Sequence, residues 1–477
     1  MDSTTSPSAA ALRHFDDLPG PRGVPVFGNL LQIDSTRVHQ QVEAWCEDYG
    51  PLFKLRLGKR RIVVVGDHEL IAAVLRDRPE GFRRTQKLED IGREAGLGAG
   101  LFAVNGETWK RQRRMVMAGF DPVHVRRYYP ALLRVAGRLV GRWQAAARAG
   151  RSIELQADLM RFTVDAVAGL AFGEDVNTLQ SDEDVIQRHL NRIFPTLFKR
   201  IFAPLPTWRW WPSAEDRALT RSVAEINVAV QGFIAKARSR LAADPALREK
   251  PGNLLEAMLV AADTPASGID DEQVAGNVLG LLLAGEDTTA NTLAWMIWLL
   301  SRHPQMLARA RAEVDGVLGD AVLPDLEQLG RLDFVEACAH ETMRLRPVGP
   351  LNFAQAVHDT RVGDVAVPAG MVVMAVMRRD AVSERHLHDA AAFDPERWAH
   401  DAKQAGAAKR LSMPFGAGPR ICPGRYLALM EIKLACAVLL RNFELVAVDT
   451  PDGQAPREHL QLSMGPVGLS MRLGLRA

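Results

Sequence analysis

Near the C-terminus the chain reads Phe415-Gly-Ala-Gly-Pro-Arg-Ile-Cys-Pro-Gly424. One sulfur, that of Cys422, sits in a loop bounded by glycines. It directly precedes an apolar repeat at helical spacing, Leu427, Met430, Leu434 and Val438. Pro423 suits the first position of a helix, where a missing N–H costs nothing. A thiol at a helix N-terminus meets free N–H groups and the positive end of the dipole, which lowers its pKa. A lone thiolate presented this way can ligate a haem iron, pushing electron density onto the metal and favouring O–O cleavage. Gly416, Gly418 and Gly424 permit tight turns and close approach of backbone to a flat ligand. Arg420 is spaced to reach an anionic group on that ligand. A cysteine beside a turn is by itself more often an inert core side chain. The length of the pattern Phe-x-x-Gly-x-Arg-x-Cys-x-Gly carries the stronger reading.

Three further constellations precede this loop. Ala284-Gly-Glu-Asp-Thr-Thr289 lies inside one long helical pattern, with Leu281, Ala284 and Thr288 on one face. Asp270 with Gln273 reads as the capping box of that helix. Gly285 costs about 1 kcal/mol there relative to alanine. Threonine hydroxyls can bond the carbonyl one turn back and open the helix locally, which makes a groove for O2 and water; a Thr/Asp kink without a role is the bland alternative. Trp109-Lys-Arg-Gln-Arg113 sets an indole N–H and a guanidinium one turn apart, two donors suited to a carboxylate. Glu341-Thr-Met-Arg344 pairs a carboxylate with a guanidinium at i, i+3. Sharing a face with Cys338 and Leu345, the pair is expected to be buried and to need a third partner. Arg397, in Phe393-Asp-Pro-Glu-Arg-Trp398, can be that group.

At these residues the chain resembles the cytochrome P450 family of haem-thiolate monooxygenases. Phe415, Gly418, Arg420, Cys422 and Gly424 match its haem-binding signature position by position. The other motifs follow in the family's order, from about Pro19 onward. The resemblance implies a mainly α fold with a small β-rich portion, the cytochrome P450 fold, and haem b (iron protoporphyrin IX) between the Leu281–Thr289 helix and the Cys422 loop. Cys422 would be the axial and only protein ligand. Phe415, Gly416, Gly424, Ala284 and Gly285 would border the cofactor, and Trp109, Arg113 and Arg420 would hold its propionates. Thr288 would hydrogen-bond dioxygen, with Asp287 and Glu286 beside it in proton delivery. Glu341, Arg344 and Arg397 would form a structural triad behind the haem loop. Leu101, Phe102, Leu281, Ala284, Val348 and Leu351 would face the substrate. Two departures from the family pattern stand out: Trp398 replaces the commoner Phe, and Arg378-Arg-Asp-Ala381 lacks a proline often found there. Both are expected in a surface meander. His386 and His388 read as solvent-exposed loop histidines, with no acidic or sulfur partner pattern for a metal.

The elements that must position these residues can be read more coarsely. Length alone, 477 residues, suggests about two to four domains, but no Gly/Ser-rich linker divides the chain. Met1 to Asp17 reads as a disordered polar tail and 18–477 as one catalytic domain. That tail is neither a signal peptide nor a membrane anchor. Val278 to Leu300, the most apolar stretch, contains Glu286 and Asp287 and reads as a buried helix. Leu52 to Leu57 and Arg61 to Val65 read as strands, His68 to Arg76 as a helix and Glu80 to Gly106 as a long irregular connection. From Trp109 to about Asp320 the pattern is helical, broken near Pro195 to Pro212 and Pro245 to Ser267. The aromatic run from Ile193 to Trp211 reads as core packing or as a roof over an apolar channel. A helix over Leu326 to Arg344, short strands around Thr360 to Val376 and a β-rich tail complete the chain.

A formal net charge of +2 gives no reason to propose nucleic acid. Cys46, Cys338, Cys422 and Cys436 form no C-x-x-C pair, which excludes a zinc-ribbon reading and suits a reducing compartment. Cys436 follows Cys422 by about four helical turns, ~21 Å, too far to share its metal. The expected activity is O2-dependent hydroxylation or epoxidation of a small apolar substrate by a cytoplasmic monomer. Electrons would come from a separate ferredoxin or flavodoxin-type donor with its reductase, docking on Lys110, Arg111 and Arg114. Three alternatives stand beside it. A peroxide-driven or isomerising haem-thiolate enzyme would not need Thr288 and Asp287. A non-enzymatic haem sensor or carrier would bind CO without partner-dependent turnover. A non-haem helical scaffold would bind none.

Overall fold

The computed structural model describes residues 12–476 except Ala99, Asp121, 182–184, Pro204 and 400–404. Helices dominate, and the strands collect into small sheets. The longest helix, Asp271–Arg302, is the central one. Asp270 caps it by accepting from the Gln273 backbone N–H at 2.8 Å. The reciprocal half of the expected capping box is absent, because Gln273 Oε1 is buried without a partner and the Gln273 carbonyl accepts from Asn277 instead. Most of the central helix is buried, as its run of Leu, Val, Ala and Trp dictates. It packs against the crossing helix Leu155–Phe172 and against the helix Arg425–Asn442 that follows Cys422.

The five-stranded sheet follows from β-branched runs and one glycine turn. Leu52–Leu57 and Arg60–Val65 pair as an antiparallel hairpin, turning at Gly58 with φ 60°. Arg60–Val65 then pairs in parallel with Val372–Val376, which pairs antiparallel with Leu351–Ala356, and Phe82–Arg83 closes the far edge. Three segments contribute, so this sheet ties both ends of the chain together beside the central helix.

Several expectations change. The segment expected to be irregular between Glu80 and Gly106 contains a helix, Gln86–Glu94, whose cap is Thr85. Its single buried residue, Ile91, left too little periodicity to read. Pro195 does not break its helix, which runs through it from Val185 to Phe202. A further helix, Leu254–Ala262, fills the second expected break, capped by Asn253. The helix read over Leu326 to Arg344 is two, Leu326–Gly330 and Asp333–Leu345. Pro423 lies in a turn, with Gly424 as the cap and the helix beginning at Arg425. The tail reading up to Asp17 is too long: Phe15 is buried on the sheet side and Arg13 pairs with Asp364 at 2.8 Å. The remainder of that tail, 1–11, lies outside the described residues.

Candidate active site

The Cys422 loop is built by local rules. The Cys422 N–H donates to the Phe415 carbonyl at 2.9 Å, closing the loop on itself. Gly416 and Gly418 both have positive φ, 75° and 70°. At Gly418 space as well as φ demands glycine, since a Cβ would meet Arg76 Cα and Leu75 O at 2.6 Å. The loop is thereby pressed against the end of the His68–Arg76 helix. Cys422 is half-buried, whereas Cys46, Cys338 and Cys436 are fully buried. Against the lowering expected from its place before a helix, burial pushes the thiol up. The Gly424 N–H, Arg113 and Arg425 oppose this and do not win.

In the middle of the central helix, between Gly280 and Thr288, the covering thins. Ala284 is exposed and Leu281 and Thr288 are half-buried, while Leu282, Glu286 and Thr289 are buried. An exposed alanine in the middle of a core helix marks a cleft. Thr288 Oγ1 donates to the Ala284 carbonyl at 2.8 Å, the back-bond expected from the sequence. Asp287 accepts from Asn291 Nδ2 at 2.7 Å and from Ser463 Oγ at 2.5 Å. Burial raises its carboxyl pKa, with Ser463 and Asn291 pulling the other way. Asn291 also donates to Ser463 Oγ and accepts from Gln156, so the carboxyl stands in a polar chain. Ser463 and Gln156 escaped sequence reading because they come from distant segments.

Gly285 and the Glu286 carbonyl meet the crossing helix Leu155–Phe172. A Cβ on Gly285 would lie 2.5 Å from Val167 Cγ2 on the crossing helix. The Glu286 carbonyl accepts from Thr163 Oγ1 on that same helix at 2.9 Å. Gly285 therefore sets a close helix–helix approach. Gly285→Ala is expected to cost about 1–3 kcal/mol by overpacking, read as a lowered urea midpoint. Val167→Ala in the same chain should restore most of it, and no restoration would refute the packing role.

The donors expected from Trp109, Arg113 and Arg420 converge, and two more cations join them. The Arg420 guanidinium lies 4.7 Å from the Trp109 ring centroid and donates to the Val104 carbonyl and Asn105. Burial pushes its pKa down to about 9, and Arg84, Arg78 and Arg113 repel it further. Arg78 and Arg84 are themselves pushed down, to about 9 and about 10, chiefly by burial. Arg84 Nε and Arg420 Nε are buried without a partner. Arg113 forms no ion pair among the described residues, and it lies close enough to Cys422 for each to shift the other. Such a group of desolvated cations is costly unless anions meet it. A flat ligand with two carboxylates fits these donors.

Behind the loop, Glu341 is 0% exposed, Arg344 1% and Arg397 3%. Arg344 donates to both Glu341 oxygens at 2.7 Å, and Arg397 Nε adds a bond at 3.3 Å. Remaining guanidinium donors go to the carbonyls of Ala381, Ala390, Ala392, His388 and Asp389. Trp398 supplies what sequence reading missed: its indole N–H donates to Glu341 Oε2 at 2.9 Å, which phenylalanine cannot do.

The expected substrate residues divide. Phe102 and Leu351 line a cavity of about 790 Å³ between the sheet, the Gln86–Glu94 helix and the end of the Val185–Phe202 helix. Leu281 and Ala284 face the cleft, and Leu101 is fixed to the central helix through Asn277 at 2.9 Å. Val348 is half-buried, its carbonyl accepting from Met464 N–H. In the basic cluster, Lys110 is already paired with Glu80 and Glu107, Arg111 is half-buried and Arg114 is exposed. His386 does have an acidic neighbour: its Nε2 lies 3.6 Å from Asp380, which also accepts from His68 at 2.9 Å and pairs with Arg379. His388 is exposed, as expected. Among the described residues no helix is long and apolar enough to cross a membrane.

Comparison with known proteins agrees with this geometry. The cytochrome P450 family model matches residues 18–472. Cyclooctat-9-en-7-ol 5-monooxygenase of Streptomyces melanosporofaciens is 30% identical over 429 residues, 89% of this chain and 88% of that protein. Protein LUTEIN DEFICIENT 5, chloroplastic, of Arabidopsis thaliana is 26% identical over 83% of this chain and 67% of its own length. The crystal structure of the cytochrome P450DA heme domain superposes with a TM-score of 0.84 at 25% identity, over 98% of this chain and 99% of that one. A half-buried cysteine in a glycine-shaped loop, cations lacking anions and a cleft on the threonine face thus have a common explanation: the chain belongs to the cytochrome P450 family of haem-thiolate monooxygenases.

Proposed function

We propose that this enzyme inserts one oxygen atom of O2 into a largely apolar organic substrate, by hydroxylation or epoxidation, using haem b and electrons from a separate ferredoxin or flavodoxin-type protein. The observation that carries the reading is a half-buried Cys422 in its glycine-shaped loop together with an exposed Ala284 and a half-buried Thr288 in the middle of the central helix. The bound haem iron supplies O2 activation, made reactive by its thiolate ligand. Cys422 is that ligand. Trp109, Arg113 and Arg420 hold the propionates, joined by Arg84 and Arg78, whose desolvated charge the carboxylates relieve. Thr288, held to the Ala284 carbonyl, keeps a hydroxyl at the cleft. Asp287 retains its proton more readily than an exposed carboxyl, and Ser463 and Asn291 orient it and connect it to the interior. Such a group, poised near the reacting oxygen, is what proton delivery requires.

The proposal extends to a cytoplasmic monomer, supported by four unpaired cysteines. Arg114 is the remaining exposed cation of the expected docking patch. The test is Thr288→Ala with a surrogate ferredoxin and its reductase. Product formed per electron should fall about 100-fold, the low end of the effect of losing a proton-delivering group. O2 consumption should persist with peroxide as the product. Unchanged coupling would remove Thr288 from the mechanism.

A further inference from the structure

Away from the Cys422 loop, one group of side chains among the described residues has the make-up of a metal site: His68, Asp380 and His386. One nitrogen from each imidazole and one Asp380 oxygen all lie within 4.8 Å of one another. His68 Nδ1 is 2.9 Å and His386 Nε2 3.6 Å from the same oxygen, Oδ2. His68 opens the His68–Arg76 helix, Asp380 opens the short turn Asp380–Val382, and His386 stands in the loop after it.

Hydrogen bonding uses only part of this arrangement. Oδ2 already accepts from the His68 backbone N–H at 2.9 Å, and Arg379 holds Oδ1 at 2.7 Å. One lone pair of Oδ2 is left for two imidazoles. Their rings pack edge to face, with centroids 5.0 Å apart, and at 3.6 Å His386 makes no hydrogen bond to the carboxylate. A divalent ion among the three atoms engages all of them at once. Charge favours it as well. Glu47 lies 3.4 Å from Arg379 Nε and meets the arginine's charge, which leaves that of the buried Asp380 for a cation. The Arg379 bond to Oδ1 is the kind of outer contact that orients a ligating carboxylate. Exposed His386 gives an ion access from solvent.

We propose that His68 Nδ1, Asp380 Oδ2 and His386 Nε2 bind a zinc ion, with water as the fourth ligand, at a site distinct from the haem iron. Two imidazoles and a carboxylate suit tetrahedral zinc, whereas calcium and magnesium take oxygen ligands. Binding releases to solvent the proton that His68 Nδ1 shares with Asp380. The ion fastens two supports of the haem loop to each other. His68 heads the helix whose far end presses on Gly418, and Ala381, next to Asp380, accepts from Arg344.

The experiment takes untagged, haem-loaded protein, strips loosely held metal with a chelator and dialyses it against zinc chloride at neutral pH. Zinc and iron are then measured by mass spectrometry, and one zinc per iron is expected. His68→Ala and His386→Ala should each weaken binding by more than about 100-fold, beyond the cost of losing an outer contact. His388→Ala, in the same loop but outside the cluster, should leave it unchanged. Zinc should also raise the urea midpoint for haem loss in the unsubstituted and His388→Ala proteins but not in His386→Ala. Because His386 is exposed, its variant should fold, which circular dichroism checks. No bound zinc, undiminished binding in His386→Ala, or equal loss in His388→Ala would overturn the site. Calcium displacing zinc at equal concentration would overturn the metal assignment, and a midpoint raised equally in His386→Ala would overturn the fastening.

Discussion

Cys422→Ser is expected to reduce oxygen insertion to background and to remove the red-shifted Soret band of the reduced CO complex. The reason is that no other sulfur can take its place. Cys46 and Cys436 are fully buried with thiols pushed up to about 12, and Cys338 is pushed up as well. Cys422 alone combines partial exposure with three groups that favour its anion, the Gly424 N–H, Arg113 and Arg425. Burial outweighs them, and a coordinated metal ion would reverse that balance by deprotonating the thiol outright. A serine hydroxyl is a far weaker acid and lacks the electron donation that favours O–O cleavage. The substitution is nearly isosteric, and the loop's own bond from residue 422 N–H to the Phe415 carbonyl is untouched, so the fold should persist. Circular dichroism and the pyridine haemochrome separate loss of ligand from loss of structure. A variant retaining both haem and the red-shifted band would show that sulfur does not bind the iron.

What the sequence disclosed about this site was what lies close together along the chain. The Cys422 loop, the Thr288 back-bond and the Glu341–Arg344 pair each depend on turns or on i, i+3 and i+4 spacing, and each appears where spacing placed it. Contacts between distant segments were not legible. Arg78 and Arg84 join Arg420 only when folding buries three segments together. Ser463 reaches Asp287 from the C-terminal strands. Gly285 carries the same ambiguity in another form: a helical glycine shows that something comes close, not what, and here it is Val167. The two departures from the family pattern gain meaning in the same way. Arg378, expected at the surface, is buried at 7% exposure and bonded to Glu43 and Glu458, 335 and 80 positions away. Burial of Glu458 opposes its ionisation, yet His39 and Arg378 hold its carboxyl well below the usual range. Fold class was legible because long apolar helices and alternating β-branched strands advertise their own periods. The short Gln86–Glu94 helix, with one buried residue, does not.

Glu341→Ala is expected to be the most destabilising single substitution in the chain, at about 3–5 kcal/mol. Five donors converge on this carboxylate: Arg344 through two nitrogens, Arg397, the Trp398 indole and the Asp394 N–H. Removing it takes the bidentate carboxylate from Arg344, at 1% exposure, and leaves Arg397, at 3%, with carbonyl oxygens and Asp394 at 3.9 Å. Against a typical total of about 5–15 kcal/mol, that loss removes a large part of folding stability. Its effect should reach the haem. Arg344 and Arg397 hold the carbonyls of residues 381–392, and that segment packs against the Ala405–Leu411 helix leading into the Phe415 loop. Chains that fold should therefore lose haem at lower urea than they lose helix, so the Soret and far-ultraviolet transitions should separate. Trp398→Phe removes one donor and keeps the charge, so it should cost only about 1–2 kcal/mol and leave the transitions coincident. If Glu341→Ala cost no more than Trp398→Phe, the carboxylate would not be what balances the two arginines.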